Sequence, residues 1–272
     1  MSTVSPQRLA VILGGLIAVG PLAIDTYLPA MPAMAESFAV SVPDVELSLS
    51  LYMLGTGVGQ LVGGPLSDHI GRRKVGTTGL ALYVLCSVLI ALSTSLEELY
   101  GLRFVQALGG GATVVICAAS VRDHFEGRQA AHVLTLIGLV MLCAPLLAPV
   151  IGTVLVQLAA WRAIFVFLAI YAGLMLVVLQ LGLPRMPAVR RSRASVGEIL
   201  KGYGRVLGHR RGLGLILTNA LAFATMFAFI TDSAFVYMEH YGVSSTVFPA
   251  VFGVNVVLMI AFNRLNVRLL HR

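Results

Sequence analysis

Charge is what this 272-residue chain has least of: 11% of its residues are Asp, Glu, Lys or Arg, while 58% are hydrophobic. A soluble domain carries about 25% charged residues. With a mean hydropathy of +0.91, a water-soluble fold would expose more apolar surface than water tolerates. Disorder is excluded for the same reason, because disordered chains are poor in apolar residues. Cysteine is rare. Cys86, Cys117 and Cys143 are the three present, each inside an apolar run, and an odd count there builds no disulfide framework. Lysine is nearly missing: only Lys74 and Lys201 accompany the arginines. The net charge is +7, yet the basic runs carry no interleaved aromatics, so nucleic acid is not the expected partner. The six histidines sit in loops or at the ends of apolar runs and form no metal-ligand pair on a helix face. No G-x-S-x-G or H-E-x-x-H motif is present, so no enzyme chemistry, metal or cofactor is called for.

What the chain does have is long apolar runs. Eight windows of about 20 residues or more can be drawn: Leu9–Leu28, Leu47–Leu66, Val75–Ser95, Leu99–Val121, Val133–Leu158, Ala163–Leu183, Gly212–Val236 and Val243–Phe262. Each is long enough to cross a bilayer as a helix. None alternates as a barrel strand would, and backbone groups in lipid must be satisfied within the segment. The fold class expected is an all-α polytopic membrane protein embedded in a lipid bilayer. A cleaved signal peptide is disfavoured, because the first run is too long and carries Asp25.

Placing the loops alternately on two sides sorts the basic residues. Of the 19, all but Arg103 and Arg162 fall on the side of the N-terminus. The opposite loops hold Glu36, Asp44, Glu46, Glu97, Glu98 and Glu239. Positive residues stay cytoplasmic, so both termini are expected inside. Six spans precede a basic stretch, Pro184–Arg211, and two follow it. The domain reading is therefore a six-helix bundle over 1–183, a cytoplasmic linker over 184–211, and two spans of a second, incomplete bundle over 212–272. A weak echo relates the halves: Ile24-Asp25-Thr26 near the outer end of span 1, and Thr231-Asp232-Ser233 near that of span 7.

Three motifs carry a resemblance. The loop after span 2 reads Gly64-Pro65-Leu66-Ser67-Asp68-His69-Ile70-Gly71-Arg72-Arg73-Lys74. It resembles the G-x-L-(A/S)-D-R-x-G-R-(R/K) signature of the major facilitator superfamily, with His69 where Arg is common. Span 4 opens Arg103-Phe104-Val105-Gln106-Ala107-Leu108-Gly109, similar to the R-x-x-Q-x-x-G motif of proton-coupled members. Span 5 holds Ala144-Pro145-Leu146-Leu147-Ala148-Pro149-Val150-Ile151-Gly152, similar to the antiporter motif. With Asp25-Thr26-Tyr27-Leu28-Pro29, Arg122-Asp123, Trp161-Arg162 and Phe235-Val236-Tyr237, the chain resembles the Bcr/CflA group of drug-resistance efflux transporters. Members of that group have twelve spans. Asp232 departs from the pattern, which has an uncharged residue there.

The resemblance implies proton-coupled antiport of small amphipathic drugs, such as chloramphenicol- or bicyclomycin-like compounds, across the bacterial inner membrane. It implies conformational roles for Gly64, Asp68, Gly71, Arg72 and Arg73, and a bent antiporter helix at Pro145, Pro149 and Gly152. Three charged residues fall inside the spans, namely Asp25, Arg103 and Asp232, and an ionisable residue there is a functional candidate by default. Asp25 and Arg103 each lie roughly 6 Å inside the outer end of their spans, at 1.5 Å per residue, so they share a layer and would pair if their helices adjoin. Asp25 would then take an external proton, with Arg103 adjusting its proton affinity. Snorkelling of Arg103 to the outer interface is the alternative for that residue. Alternatives for the whole chain are a transport-incompetent fragment or an accessory subunit, its last two spans covered by missing second-half spans or by another copy.

Topology gives the first prediction. In a chain freed of its native cysteines, Arg193→Cys should resist a membrane-impermeant thiol reagent in intact cells and react after permeabilisation. Labelling in intact cells would overturn the assignment.

Overall fold

A computed structural model describes residues 5–182 and 195–270; Arg185, Arg190, Arg191, Arg193 and Arg272 of the basic assignment lie outside them. The described residues are helical throughout, without a strand. The helices are α1 (Pro6–Asp25), α2 (Met31–Phe38), α3 (Val42–Ile70), α4 (Arg72–Leu92), α5 (Leu96–His124), α6 (Gly127–Ala159), α7 (Arg162–Gly182), α8 (Val196–Gly208), α9 (Arg210–Ala234) and α10 (Phe248–Leu270). Among the described residues, seven helical segments are long and apolar enough to cross a membrane. They cover the first seven predicted spans. The eighth predicted span falls largely on α10, which begins at Phe248 rather than Val243.

The first span differs from its expected form. It runs on to Phe38, but α1 stops at Asp25 and the chain passes through a 3-10 turn, Leu28–Ala30, before α2. Proline explains the break. Pro29 has no N–H to donate and Pro32 follows three residues later, so a straight i→i−4 ladder is impossible here. The Thr26 hydroxyl turns back to the Leu22 carbonyl at 2.6 Å. The loop between α2 and α3 is correspondingly short. Ala39 closes α2 in the left-handed region (φ 56°), and Ser41 opens α3 with a reciprocal Ser41–Asp44 capping box. Glu46, read from sequence as a loop residue, is thus a buried residue of α3. Gly71, between α3 and α4, has φ 99°, which only glycine adopts without strain.

The centre of the molecule is built around α1 and α5. α5 packs against α3, α4 and α1; α1 packs against α6 and α7; α4 closes on α7. In the segments Pro6–Phe38 and Leu96–His124, 72% and 61% of the apolar window is buried, against none of that of Arg210–His240. The α3–α5 seam is set by small residues. A Cβ on Gly55 would fall on the Phe104 carbonyl oxygen, one on Gly59 on that of Leu108, and one on Gly63 2.7 Å from the Ala112 Cα. These three glycines at four-residue spacing let two backbones meet where lipid offers no hydrophobic drive for association.

Gly59→Val should therefore force α3 off α5 and cost about 1–3 kcal/mol, the usual range for overpacking. Thermal unfolding in detergent checks this against Gly57→Ala, where an added Cβ meets nothing within 4 Å. Equal melting of the two variants would contradict the seam.

Candidate functional site

Arg103 is fully buried, so it does not snorkel. A lone cation within a span is costly, up to roughly 2.5–3.5 kcal/mol at the helix centre on the insertion scale, and the surroundings of Arg103 are built to offset such a cost. Its Nη1 donates to the Gln106 Oε1 at 3.0 Å and its Nη2 to the Ala23 carbonyl at 3.1 Å. The guanidinium carbon lies 4.6 Å from the centroid of the Tyr27 ring, 4.3 Å from that of Tyr52 and 5.7 Å from that of Phe165. A desolvated cation over aromatic faces gains about 2 kcal/mol, comparable to the burial cost. Gln106 extends the arrangement: its Nε2 donates to the Ser87 Oγ at 2.7 Å, and the Ser87 hydroxyl donates to the Tyr83 carbonyl. Tyr27 is fixed in turn by a 2.6 Å hydroxyl contact with Ser48. Residues of α1, α3, α4, α5 and α7 thus meet in one polar layer.

Asp25 lies at the edge of this layer, 3% exposed, as the last residue of α1. The helices of Asp25 and Arg103 do adjoin, but the two side chains do not pair: among the described residues no ion pair joins them, and Arg103 is committed to the Ala23 carbonyl two residues earlier. The acid is left next to the break in α1, free of a fixed cation. Asp232 is not brought to this layer. It is exposed on α9, a helix that packs on α3.

The antiporter-like segment meets the same break from outside. α6 is one continuous helix of 33 residues with Pro145 and Pro149 inside it. Gly152 seats on the Thr26 carbonyl oxygen and on Pro29, so closely that a Cβ would overlap both. On a neighbouring face α10 and the segment before it pack on α6, with Leu146 near Gly253 and the Thr153 hydroxyl donating to the Ser245 carbonyl at 3.1 Å. α6 therefore lies between the turn beside Asp25 and the second half of the chain.

At the other end of the bundle, Arg72 joins Asp68 at 2.5 Å and Asp123 at 3.0 Å and also contacts Ser67. Arg73 crosses to α7, donating to the Gln180 side chain at 3.0 and 2.6 Å. Gly64 packs near Val115 of α5. The predicted loop motif is thus a hub tying α3, α4, α5 and α7. Asp123 was noted in the sequence beside Arg122, though not as a partner of Arg72; Gln180 was not singled out, and neither were Tyr52 and Ser48 above. The i,i+3 spacing of Arg103 and Gln106 marked one face of α5; nothing local marked the rings that other helices bring to it.

Comparison with known proteins settles the family. Residues 13–272 match the Major Facilitator Superfamily. The chain belongs to that superfamily. It is 36% identical over 256 residues to the uncharacterized MFS-type transporter YdgK of Bacillus subtilis, an alignment covering 93% of this chain and 64% of that protein. It is 31% identical over 257 residues to the bicyclomycin resistance protein homolog of Haemophilus influenzae, covering 94% and 65%. It is also 31% identical over 212 residues to the multidrug transporter MdfA of Yersinia pestis, covering 78% and 52%. The chain thus spans less than two thirds of the length of these relatives. In fold it is similar to a bacterial homolog of the human lysosomal transporter Spinster (TM-score 0.71, 16% identity, 94% of this chain and 60% of that one). It is equally similar to the human organic anion transporter MFSD10 (TM-score 0.71, 18% identity, 94% and 70%). A multi-pass membrane protein of the major facilitator fold is what the apolar runs and the motifs led one to expect.

Because Arg103 uses both the fork and the flat face of its guanidinium, lysine is a poor replacement. Arg103→Lys should lose at least one of the two hydrogen bonds and destabilise the bundle by about 1–3 kcal/mol, read as earlier thermal unfolding in detergent. Unfolding like that of the parent would mean that charge alone suffices.

Proposed function

We propose that this chain carries out proton-coupled efflux of small amphipathic drugs, of chloramphenicol- or bicyclomycin-like character, from the bacterial cytoplasm. The observation that carries the reading is Asp25: a carboxyl group 3% exposed inside the membrane, unpaired with the neighbouring cation and placed at the break in α1. Such a group can hold a proton in one conformation and lose it in another without first breaking a salt bridge. Support for the drug class comes from relatives named for bicyclomycin and multidrug transport.

In this reading residues 1–183 form the first bundle, 184–211 a cytoplasmic linker and 212–272 part of the second, with both termini in the cytoplasm of a cell whose inner membrane holds the protein. Arg103 acts as a positioning residue. It fixes the last turn of α1 through Ala23 and so sets where Asp25 stands. Gly152 lets α6 follow the Thr26–Pro29 turn, and α6 relays its movement to α10. Asp68, Arg72 and Asp123 hold the cytoplasmic ends of the helices in register while one bundle rocks on the other. A proton entering from outside neutralises Asp25 and favours release of the drug there; its loss to the cytoplasm resets the site. Asp232, on the second half, lies on the outer approach.

The test uses inside-out membrane vesicles containing the transporter. Acidifying the lumen should drive drug uptake against its gradient, and Asp25→Asn should abolish that uptake while membrane insertion stays normal. Undiminished uphill uptake by the variant would remove Asp25 from the mechanism.

A further inference from the structure

The basic linker is not featureless. Its second half folds into α8, opened by a second capping box: the Ser195 N–H donates to the Glu198 carboxylate at 2.6 Å and the Glu198 N–H to the Ser195 Oγ. The helix ends at His209, one extended residue whose Nδ1 accepts from the Gly212 N–H at 3.2 Å and so caps α9. Tyr203 fixes α8 in place, its hydroxyl donating to the Leu61 carbonyl of α3 at 2.8 Å. Between the two helices lies a cleft of about 350 Å³, with Pro65, Asp68 and His69 on one wall and Ile199, Tyr203 and Val206 on the other. α8 therefore lies level with the last turns of α3, where the apolar part of that span ends.

At 3.6 residues per turn, the side chains of α8 sort into successive flanks. Ile199, Tyr203 and Val206 face α3. Next round the helix come Leu200 and Leu207, 63% and 55% exposed, in the same range as the exposed Leu61 of α3 (59%). Gly197 and Gly204 follow, with no side chain to obstruct approach, and then Lys201 and Arg205, both exposed. Arg210 and Arg211 continue the basic surface past the corner. Glu198 is the one acid here, and its carboxylate is engaged at the helix N-terminus. An apolar flank beside a basic one, on a short helix held at the end of a span, has the composition of an interfacial helix. Lys and Arg near a membrane surface are drawn to anionic lipid.

We propose that α8 is an interfacial anchor: Leu200 and Leu207 enter the acyl boundary of the cytoplasmic leaflet while Lys201 and Arg205 bind the headgroups of anionic phospholipids. The occupant follows from charge and shape together. A protein partner would meet two leucines and a glycine strip too small for a stable interface, whereas a leaflet meets the apolar and basic flanks at once. Through Tyr203 the anchor is tied to α3 about two turns before Asp68, and the cleft between them is lined by Asp68 itself, so lipid composition would bear on the cytoplasmic hub.

The test places an environment-sensitive fluorophore at Leu207→Cys in the full chain with Cys143→Ala, the buried Cys86 and Cys117 left in place. The protein is reconstituted into nanodiscs of phosphatidylcholine, with or without phosphatidylglycerol. The account expects blue-shifted emission, quenching by lipids spin-labelled near the headgroup, and quenching at least about twofold stronger with phosphatidylglycerol, in keeping with the added attraction per basic residue. Lys201→Gln with Arg205→Gln, or high salt, should erase the phosphatidylglycerol increment and leave the fold intact, as read by the unchanged melting of the bundle. Water-like emission without lipid quenching would overturn the proposal. So would blue-shifted emission that no spin-labelled lipid quenches, since protein would then cover the flank. Quenching equal in the two lipids would overturn its anionic preference.

Discussion

The structure turns on keeping a guanidinium in the middle of a membrane bundle. Arg103 is 0% exposed, and its charge is met by two tyrosine faces, a backbone carbonyl and a glutamine rather than by a carboxylate. A buried ion pair must recover two desolvation costs; here Arg103 is buried without a paired carboxylate, and the aromatic faces take the place of the counter-ion. The consequence is mechanical. Because the donor reaches the Ala23 carbonyl, α5 holds the last turn of α1, and because Tyr27 stacks on the same cation, the turn after Asp25 is held as well. The acid stands between two fixed points without being tied to either.

The break in α1 then becomes the joint of the molecule. Proline prevents α1 from continuing, the Thr26 N–H and hydroxyl both close on the Leu22 carbonyl, and Gly152 lets α6 lie directly on the turn. On a neighbouring face α6 carries α10. A change in protonation at the turn therefore has a short packed route to the second half of the chain. At the far end, Arg72 bridges Asp68 and Asp123 while Arg73 reaches Gln180, so these contacts tie the ends of four helices together.

Much of this was legible in the residues alone. Long apolar runs fix helices in lipid, and the bias of Arg and Lys orders them, because both follow from solvation of backbone and charge rather than from packing. The glycine stripe on α3 could likewise be read as a seam. The partner of Arg103 could not. Depth placed it level with Asp25, but depth does not say which way a long side chain turns, and the guanidinium lies instead among rings from α3, α7 and the turn after α1. Glu46 was hidden by an overlong estimate of the first outer loop, since a capping box at Ser41 starts α3 before its apolar run begins. The helix inside the linker was hidden by its arginines, although the apolar spacing of Val196, Ile199, Leu200, Tyr203, Val206 and Leu207 was there to be counted.

The central claim is that Asp25 exchanges its proton for drug, with Arg103 as scaffold rather than counter-ion. Proton release on drug binding measures it most directly: drug is added to purified transporter in unbuffered detergent solution and the pH of the medium is followed. The account predicts acidification by the parent, none by Asp25→Asn, and a reduced but present release by Arg103→Lys, whose acid remains. Acidification by Asp25→Asn equal to that of the parent would contradict it.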